Sequence, residues 1–435
     1  MELPEKRFLN RSLLRMNINV LRLRRHSTEN IIIALSIIFS SFVGMQFLGI
    51  SLNKIALLPL IIYLLMHFRK KISLNKGQKM LILFYVFSIA SVISGFLIQE
   101  KIQGLQEKLG LYFAQVCLMY IPLTLLSNNL KDPIGVVKKT LIFMARVNAI
   151  WAVVQFVFWY GLHLDINNVL FNDVFNGILG KEWSVWNYEA GSLALRVAGF
   201  QNDAAFFAIL LILGFCLDTS RIWKVIYIGT CVLSMSRTGI LAIFIIWFMN
   251  LIKKICYGKV RIKTLTIGVF VIISAVIAIV IAYNQIPSIQ FQIDYMIFRM
   301  KNISGGSDSG TIRHLNYIPT AIDVWLMNFN AFRKLFGVGP RCGGVAFSMT
   351  NYLEVSKGVA WAIECDYAEL LMAQGVTGFL IYGSIYQVYK RYKFDAQIRD
   401  CMLTILIAGV MYNVLETTLL QVVIILLLPN YRKRA

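Results

Sequence analysis

The 435-residue sequence is short of charge. Asp, Glu, Lys and Arg make up only 15% of it, against about a quarter in an ordinary soluble domain. So few charges cannot cover a water-soluble body of this size, and a soluble fold is excluded. Acids are scarcest, with 22 Asp and Glu against 43 Lys and Arg. Histidine is limited to His26, His67, His163 and His314. The seven cysteines are scattered, with no CxxC and no Cys/His metal spacing, so zinc, iron–sulfur and dithiol classes fall away. Cys342 and Cys365 share one outer segment where a disulfide could form, but the expectation is that both remain thiols. There is no P-loop, and Gly337-Val338-Gly339 lacks the flanking strand and helix of a dinucleotide fingerprint. No cofactor, nucleotide or metal, is therefore expected. No cleavable signal peptide is apparent either: the basic segment 1–30, with Lys6, Arg7, Arg11, Arg15, Arg22, Arg24 and Arg25, leads straight into an apolar run and reads as an anchor flank.

What is abundant is apolar surface, 58% of the residues. It is gathered into runs near the length that crosses a bilayer. Inside such runs every backbone polar group must be paired within the segment, so the spans are helices. The pattern predicts them at about 31–50, 54–68, 80–98, 109–126, 140–160, 203–217, 223–235, 238–252, 264–283, 366–386, 401–414 and 417–429. The seventh and eighth share a break at Ser236-Arg237-Thr238-Gly239 and read as two tilted spans or one interrupted element. With the basic N-terminus placed in the cytoplasm, every inner loop is basic. Arg69-Lys70-Lys71, Lys138-Lys139, Lys253-Lys254, Lys390-Arg391 and Arg432-Lys433-Arg434 all fall inside. The net charge of +21 is then topological rather than a sign of nucleic-acid binding. The fold class expected is all-α: a single polytopic transmembrane helical bundle of about 12 spans with both termini cytoplasmic. Two outer segments, 161–202 and 284–365, are too long to be connectors. They carry Trp183, Trp186, Trp325 and Trp361 and are expected to form amphipathic helices at the outer interface.

Charges on the outer side have no topogenic reason to be there. They include Arg196, before Asn202 and Asp203 at the end of the first long loop, and Arg237 in the short break. Arg313 and Arg341 follow in the second loop, which closes on Glu364, Asp366, Tyr367 and Glu369. Arginine's planar fork suits diphosphate, donating parallel hydrogen bonds while staying charged. Each arginine has the alternative of pairing with a loop carboxylate or a lipid headgroup. For Arg237, set between two apolar segments, a functional role outweighs that alternative. Glu364 or Asp366 could act as a general base toward a sugar hydroxyl. Glu369 could instead be an arginine's structural partner.

The order Arg196-x-x-Gly199-Phe200-x-Asn202, Ser234-x-Ser236-Arg237-Thr238-Gly239, Gly337-x-Gly339-Pro340, then Tyr367-x-Glu369-Leu370-Leu371 with Gly375-x-x-Gly378, resembles the O-antigen polymerase and ligase superfamily. The resemblance covers roughly residues 190–385. It implies a C-type glycosyltransferase-like architecture in the bacterial inner membrane, with a periplasmic active site, metal- and nucleotide-independent. The partners it implies are undecaprenyl-diphosphate-linked glycan as donor and acceptor, membrane lipids and a separate chain-length regulator protein. In these terms Arg196, Arg237, Arg313 and Arg341 would bind diphosphate, with Asn202, Tyr367 and Glu369 as further substrate contacts. Family ligases carry a His where this chain has Glu364, and none of the four histidines falls there, which favours polymerase over ligase. A lipid-linked glycan transporter is the remaining alternative, and no internal repeat supports it. Phosphatase-reporter fusions test the topology. Fusions within 161–202 and 284–365 should be active outside the cell, and fusions at Lys70, Lys254 and Arg434 should be silent.

Overall fold

A computed structural model describes residues 28–42, 46–47, 50–68, 72–98, 101–174, 195–201, 203–256, 309–350 and 361–429, with isolated positions between 277 and 297. These residues are almost all helical. The only ladder of more than a single bridge among them is antiparallel, Gln46–Phe47 against Ile50–Ser51. Among the described residues four helices are long and apolar enough to cross a membrane: Lys76–Phe96, Leu105–Asn129, Pro133–Leu162 and Asp366–Arg391. Shorter apolar helices cover Thr28–Ser41, Leu52–Met66, Ala204–Leu217 and Thr418–Leu427. The basic segment 1–27 and most of the expected span 264–283 lie outside the described residues.

Helix ends shift from their expected places for identifiable reasons. The first helix stops at Ser41 rather than near residue 50, where the Ser40 and Ser41 hydroxyls donate back to the Ser36 and Ile38 carbonyls. The third starts at Lys76 because Asn75 and Gln78 form a reciprocal capping box. Pro133 occupies the first turn of the 30-residue Pro133–Leu162 helix, a position where its missing N–H costs nothing. Arg221–Leu233 and Arg237–Cys256 are two separate helices. The last two expected spans shorten to Ala396–Ala408 and Thr418–Leu427. Of the two long segments expected on the outer side, 161–202 is helical at Ile166–Asn168 and Val169–Val174, with Trp183 and Trp186 outside the described residues, and 284–365 is helical at Ser309–Met327, Ala331–Phe336 and Gly344–Ser348.

Ala204–Leu217 and Thr418–Leu427 are apolar and buried along their whole length, the mark of a helix with neighbours on every side. Pro133–Leu162, Ala396–Ala408, Arg221–Leu233 and Arg237–Cys256 pack around the first of them. Gly214 lets it approach the Pro133–Leu162 helix closely, since a Cβ there would sit 2.4 Å from that of Ala145. Outward faces carry exposed apolar side chains such as Leu83, Ile93, Phe143, Val157, Phe244 and Trp247, a belt suited to lipid. At 14 and 10 residues, the two central helices are only about 21 and 15 Å long. Neither reaches across a hydrocarbon core of about 30 Å. Their ends therefore leave non-helical backbone deep in the protein.

One outer segment is fastened to the bundle by a serine ladder. Ser88, Ser91 and Ser94 share one face of Lys76–Phe96. Their hydroxyls donate to Gln374 Oε1 at 2.8 Å, the Ala373 carbonyl at 2.5 Å and the Gly337 carbonyl at 2.6 Å. Val338 and Gly339 amides add bonds to the Met372 and Ala373 carbonyls at 3.0 and 2.9 Å. The approach needs glycine: Gly337 has φ +71°, and a Cβ there would lie 2.3 Å from the Ala373 carbonyl carbon. Gly337→Ala should therefore cost at least about 2 kcal/mol, read as a lower melting temperature of the detergent-solubilised protein.

Candidate functional site

Three breaks in helical structure come together in the bundle: 195–203, 234–236 and 409–417. The first is shaped by the Pro133–Leu162 helix. Gln155 Oε1 accepts from the Ala198 and Gly199 amides at 3.3 and 2.8 Å, and Asn148 Oδ1 accepts from the Phe200 amide at 2.9 Å. Asn167 donates to the Gly199 carbonyl at 3.0 Å and accepts from the Trp151 indole at 2.7 Å, while Trp151 stacks on Phe200. Gly199 sits at φ +60°, and a Cβ there would be 2.7 Å from Asn148 Oδ1. The motif glycine is thus a turn that only its lack of a side chain permits.

That turn delivers Arg196 to the second break, with its Nε 3.5 Å from the Ser234 carbonyl. Met235 holds a left-handed φ of 50°, uncommon for a side chain of its size. Ser234 Oγ donates to the Cys231 carbonyl at 2.7 Å, and Ser236 Oγ accepts from the Gly239 amide at 3.3 Å. Ser236 therefore caps the next helix, Arg237 is its first residue, and Gly239 lets it close on Cys231 and Ala208. Within two turns of this break lies an apolar crevice of about 290 Å³ between the two helices. It is lined by Ile228, Cys231, Val232, Ile240, Ile243, Phe244 and Trp247.

The third break joins the same neighbourhood through Tyr412, whose hydroxyl donates to Asp203 Oδ2 at 2.7 Å. Asp203 Oδ1 caps the central helix by accepting from the Ala205 amide at 2.9 Å. The Tyr412 phenol is pushed well above its ordinary range, first by burial and then by the Asp203 and Glu364 carboxylates, with Arg196 opposing them. Arg196, Asp203, Tyr412 and Glu364 thus form one electrostatic cluster. Glu364 is its open member, with 58% of its side chain exposed and Oε2 3.3 Å from His314 Nε2.

The other acids serve the architecture. Asp366 is buried, and its Oδ1 accepts from the Val414 and Leu415 amides at 2.9 Å each. Its own amide donates to the Gly409 carbonyl at 2.7 Å. Glu369 is fully buried and accepts from the Gly343 and Ile363 amides at 2.9 and 2.6 Å, fastening both ends of an outer segment rather than an arginine. Tyr367 donates to the Leu406 carbonyl at 3.0 Å and stacks on Tyr382.

Arg341 stands apart from Arg196 and Arg237. One of its Nη atoms donates to the Glu416 carbonyl, the other lies 3.5 Å from Gln115 Oε1, and its guanidinium covers the Tyr112 ring. It holds φ +60° and so grips the far flank of the 409–417 turn. The buried Glu416 carboxylate there accepts from Gln374 at 2.8 Å and Asn413 at 3.3 Å. Arg313 lies on the Ser309–Met327 helix beside His314, with its side chain outside the described residues; Asn202 is outside them altogether. Cys342 and Cys365 are free thiols. Burial, and then the Glu369 carboxylate, push Cys342 up to about 12, so it stays protonated at neutral pH. Among the described residues no group of three His, Cys, Asp or Glu could hold a metal ion.

Sequence reasoning missed Asn148, Gln155, His314, Tyr412 and Glu416. Asn148 and Gln155 carried a signal, as amides inside an apolar run. Tyr412 and Glu416 did not stand out from the spans around them. No protein-family model matches the chain, and no curated protein matches it in sequence. Removing the Asp366 carboxylate strands two buried amides, so Asp366→Ala should cost about 2–4 kcal/mol. Asp366→Asn keeps an acceptor oxygen and should cost much less. Thermal unfolding of the purified variants measures both.

Proposed function

We propose that the chain is a lipid-linked glycosyltransferase that polymerises undecaprenyl-diphosphate-linked oligosaccharide repeat units at the periplasmic face of the bacterial inner membrane. The observation that carries the reading is the meeting of Arg196 and the Arg237 break with Asp203, Tyr412 and the open carboxylate of Glu364. Cations able to hold a diphosphate stand beside an acid able to take a hydroxyl proton, at a point where helices stop inside the bundle. In this mechanism the acceptor hydroxyl attacks the anomeric carbon of the donor glycan. The bond from that carbon to the diphosphate oxygen breaks, and its electron pair leaves with undecaprenyl diphosphate. Arg196 and Arg237 stabilise the charge gathering on that leaving group, while Glu364 takes the hydroxyl proton. Asp366 and Glu369 keep their structural places, and Arg341 positions the turn that carries Tyr412. The apolar crevice beside the Arg237 break gives a prenyl chain a place to lie while its diphosphate meets the arginines.

A ligase that transfers the glycan to lipid A-core is the second reading, and one observation favours it: His314 supplies an imidazole at Glu364. The lipopolysaccharide ladder of a deletion strain separates the two. Collapse to a single rung supports polymerase, and complete loss of glycan from the core supports ligase. Arg237→Ala and Glu364→Gln, produced at normal abundance, should each reproduce the deletion ladder. An unchanged long-chain ladder in both variants would overturn the assignment.

A further inference from the structure

We propose that His314 is a positioning residue for Glu364: by donating from Nε2 to Glu364 Oε2, it aims the other carboxylate oxygen at the acceptor hydroxyl and governs when that carboxylate is free to act. The inference rests on the glycosyltransferase reading above. Glu364 and His314 lie fifty residues apart in sequence, and their atoms are 3.3 Å apart. They differ in exposure. Glu364 precedes the Asp366–Arg391 helix with its side chain 58% exposed, whereas His314 is 19% exposed. The imidazole is held edge-on against Tyr317, with ring centroids 5.4 Å apart, and Tyr317 is itself buried and stacked on Phe347. A packed donor beside an exposed carboxylate restricts that carboxylate to few orientations, which is how a neighbour makes a general base effective.

The pairing also carries a proton switch. An imidazole titrates at about 6.5 when unperturbed. Protonated, it binds Glu364 as an ion pair and competes with the sugar hydroxyl for the carboxylate; neutral, it donates one hydrogen bond and leaves the second oxygen available. Tyr412 stands near Glu364, and beside Tyr412 stand Asp203 and Arg196. Asp203 is already committed to Tyr412 and to its helix cap. Histidine is the side-chain type that gains charge as pH falls from about 8 to about 5. Turnover should fall as pH drops through that range.

The test uses the full-length protein in proteoliposomes, supplied with lipid-linked single repeat units isolated from a strain lacking this chain. Polymer formation is followed from pH 5.5 to 7.5. Wild type should make several-fold more polymer at pH 7.5 than at pH 5.5, the direction in which an imidazole loses its proton. His314→Gln keeps a donor that does not titrate, so it should lower the rate yet flatten the profile. His314→Ala should lower kcat with KM for the acceptor unchanged. His67→Gln, altered at the end of the Leu58–Met66 helix, should keep the wild-type limb. A wild-type profile that is flat, or a His314→Gln profile that keeps the limb, overturns the proposal. Failure of wild type to make any polymer from these units would instead overturn the glycosyltransferase reading.

Discussion

A backbone amide or carbonyl at the end of a buried helix has no water to turn to, and within a membrane each one left unpaired costs several kcal/mol. Ala204–Leu217 and Thr418–Leu427 create that demand at the middle of this bundle, because both are buried and both are too short to span. Polar side chains answer it. Asp203 caps one helix start, Asp366 takes two amides of the 409–417 turn, Gln155 and Asn148 hold the turn at Gly199, and Arg341 takes the carbonyl of Glu416. The polar centre of the molecule is first a solution to that pairing problem. The groups of the proposed chemistry, Arg196, Arg237, Glu364 and His314, stand where the pairing groups have already brought the chain.

This division of labour explains which parts of the site were legible. Helix existence followed from apolar run length, and Arg237 stood out as a charge between two apolar segments. The glycines at 199, 337 and 339 stood in the motifs that carry the family resemblance, and each is required by a neighbour that a Cβ would strike. The acids were not separable by sequence. Glu364, Asp366 and Glu369 fall within six residues, and only their burial shows that two of them are fasteners and one faces outward. Tyr412 was invisible for another reason: it interrupts an apolar run that continues on both sides, so hydropathy reads straight through the turn that carries it.

Arginine, chosen from sequence for its affinity for phosphate, proves to play two parts. Arg341 fills its donors with a carbonyl, an amide oxygen and an aromatic face, the geometry of a brace. Arg196 reaches the Ser234 carbonyl, and Arg237 opens a helix whose first turn carries no acid. A helix N-terminus without an acid of its own favours an incoming anion. The same residue type thus braces one flank of the 409–417 turn and, in the proposed mechanism, offers cations on the other.

The Asp203–Tyr412 and Asp366–Leu415 contacts span 209 and 49 residues of sequence, and both end in the same late turn. Since a membrane chain is made and inserted from its N-terminus, the arginines arrive long before the tyrosine that completes their surroundings. The cluster is closed by a turn made more than two hundred residues after Asp203. A chain that has not yet reached that turn holds its cations without the groups that organise them.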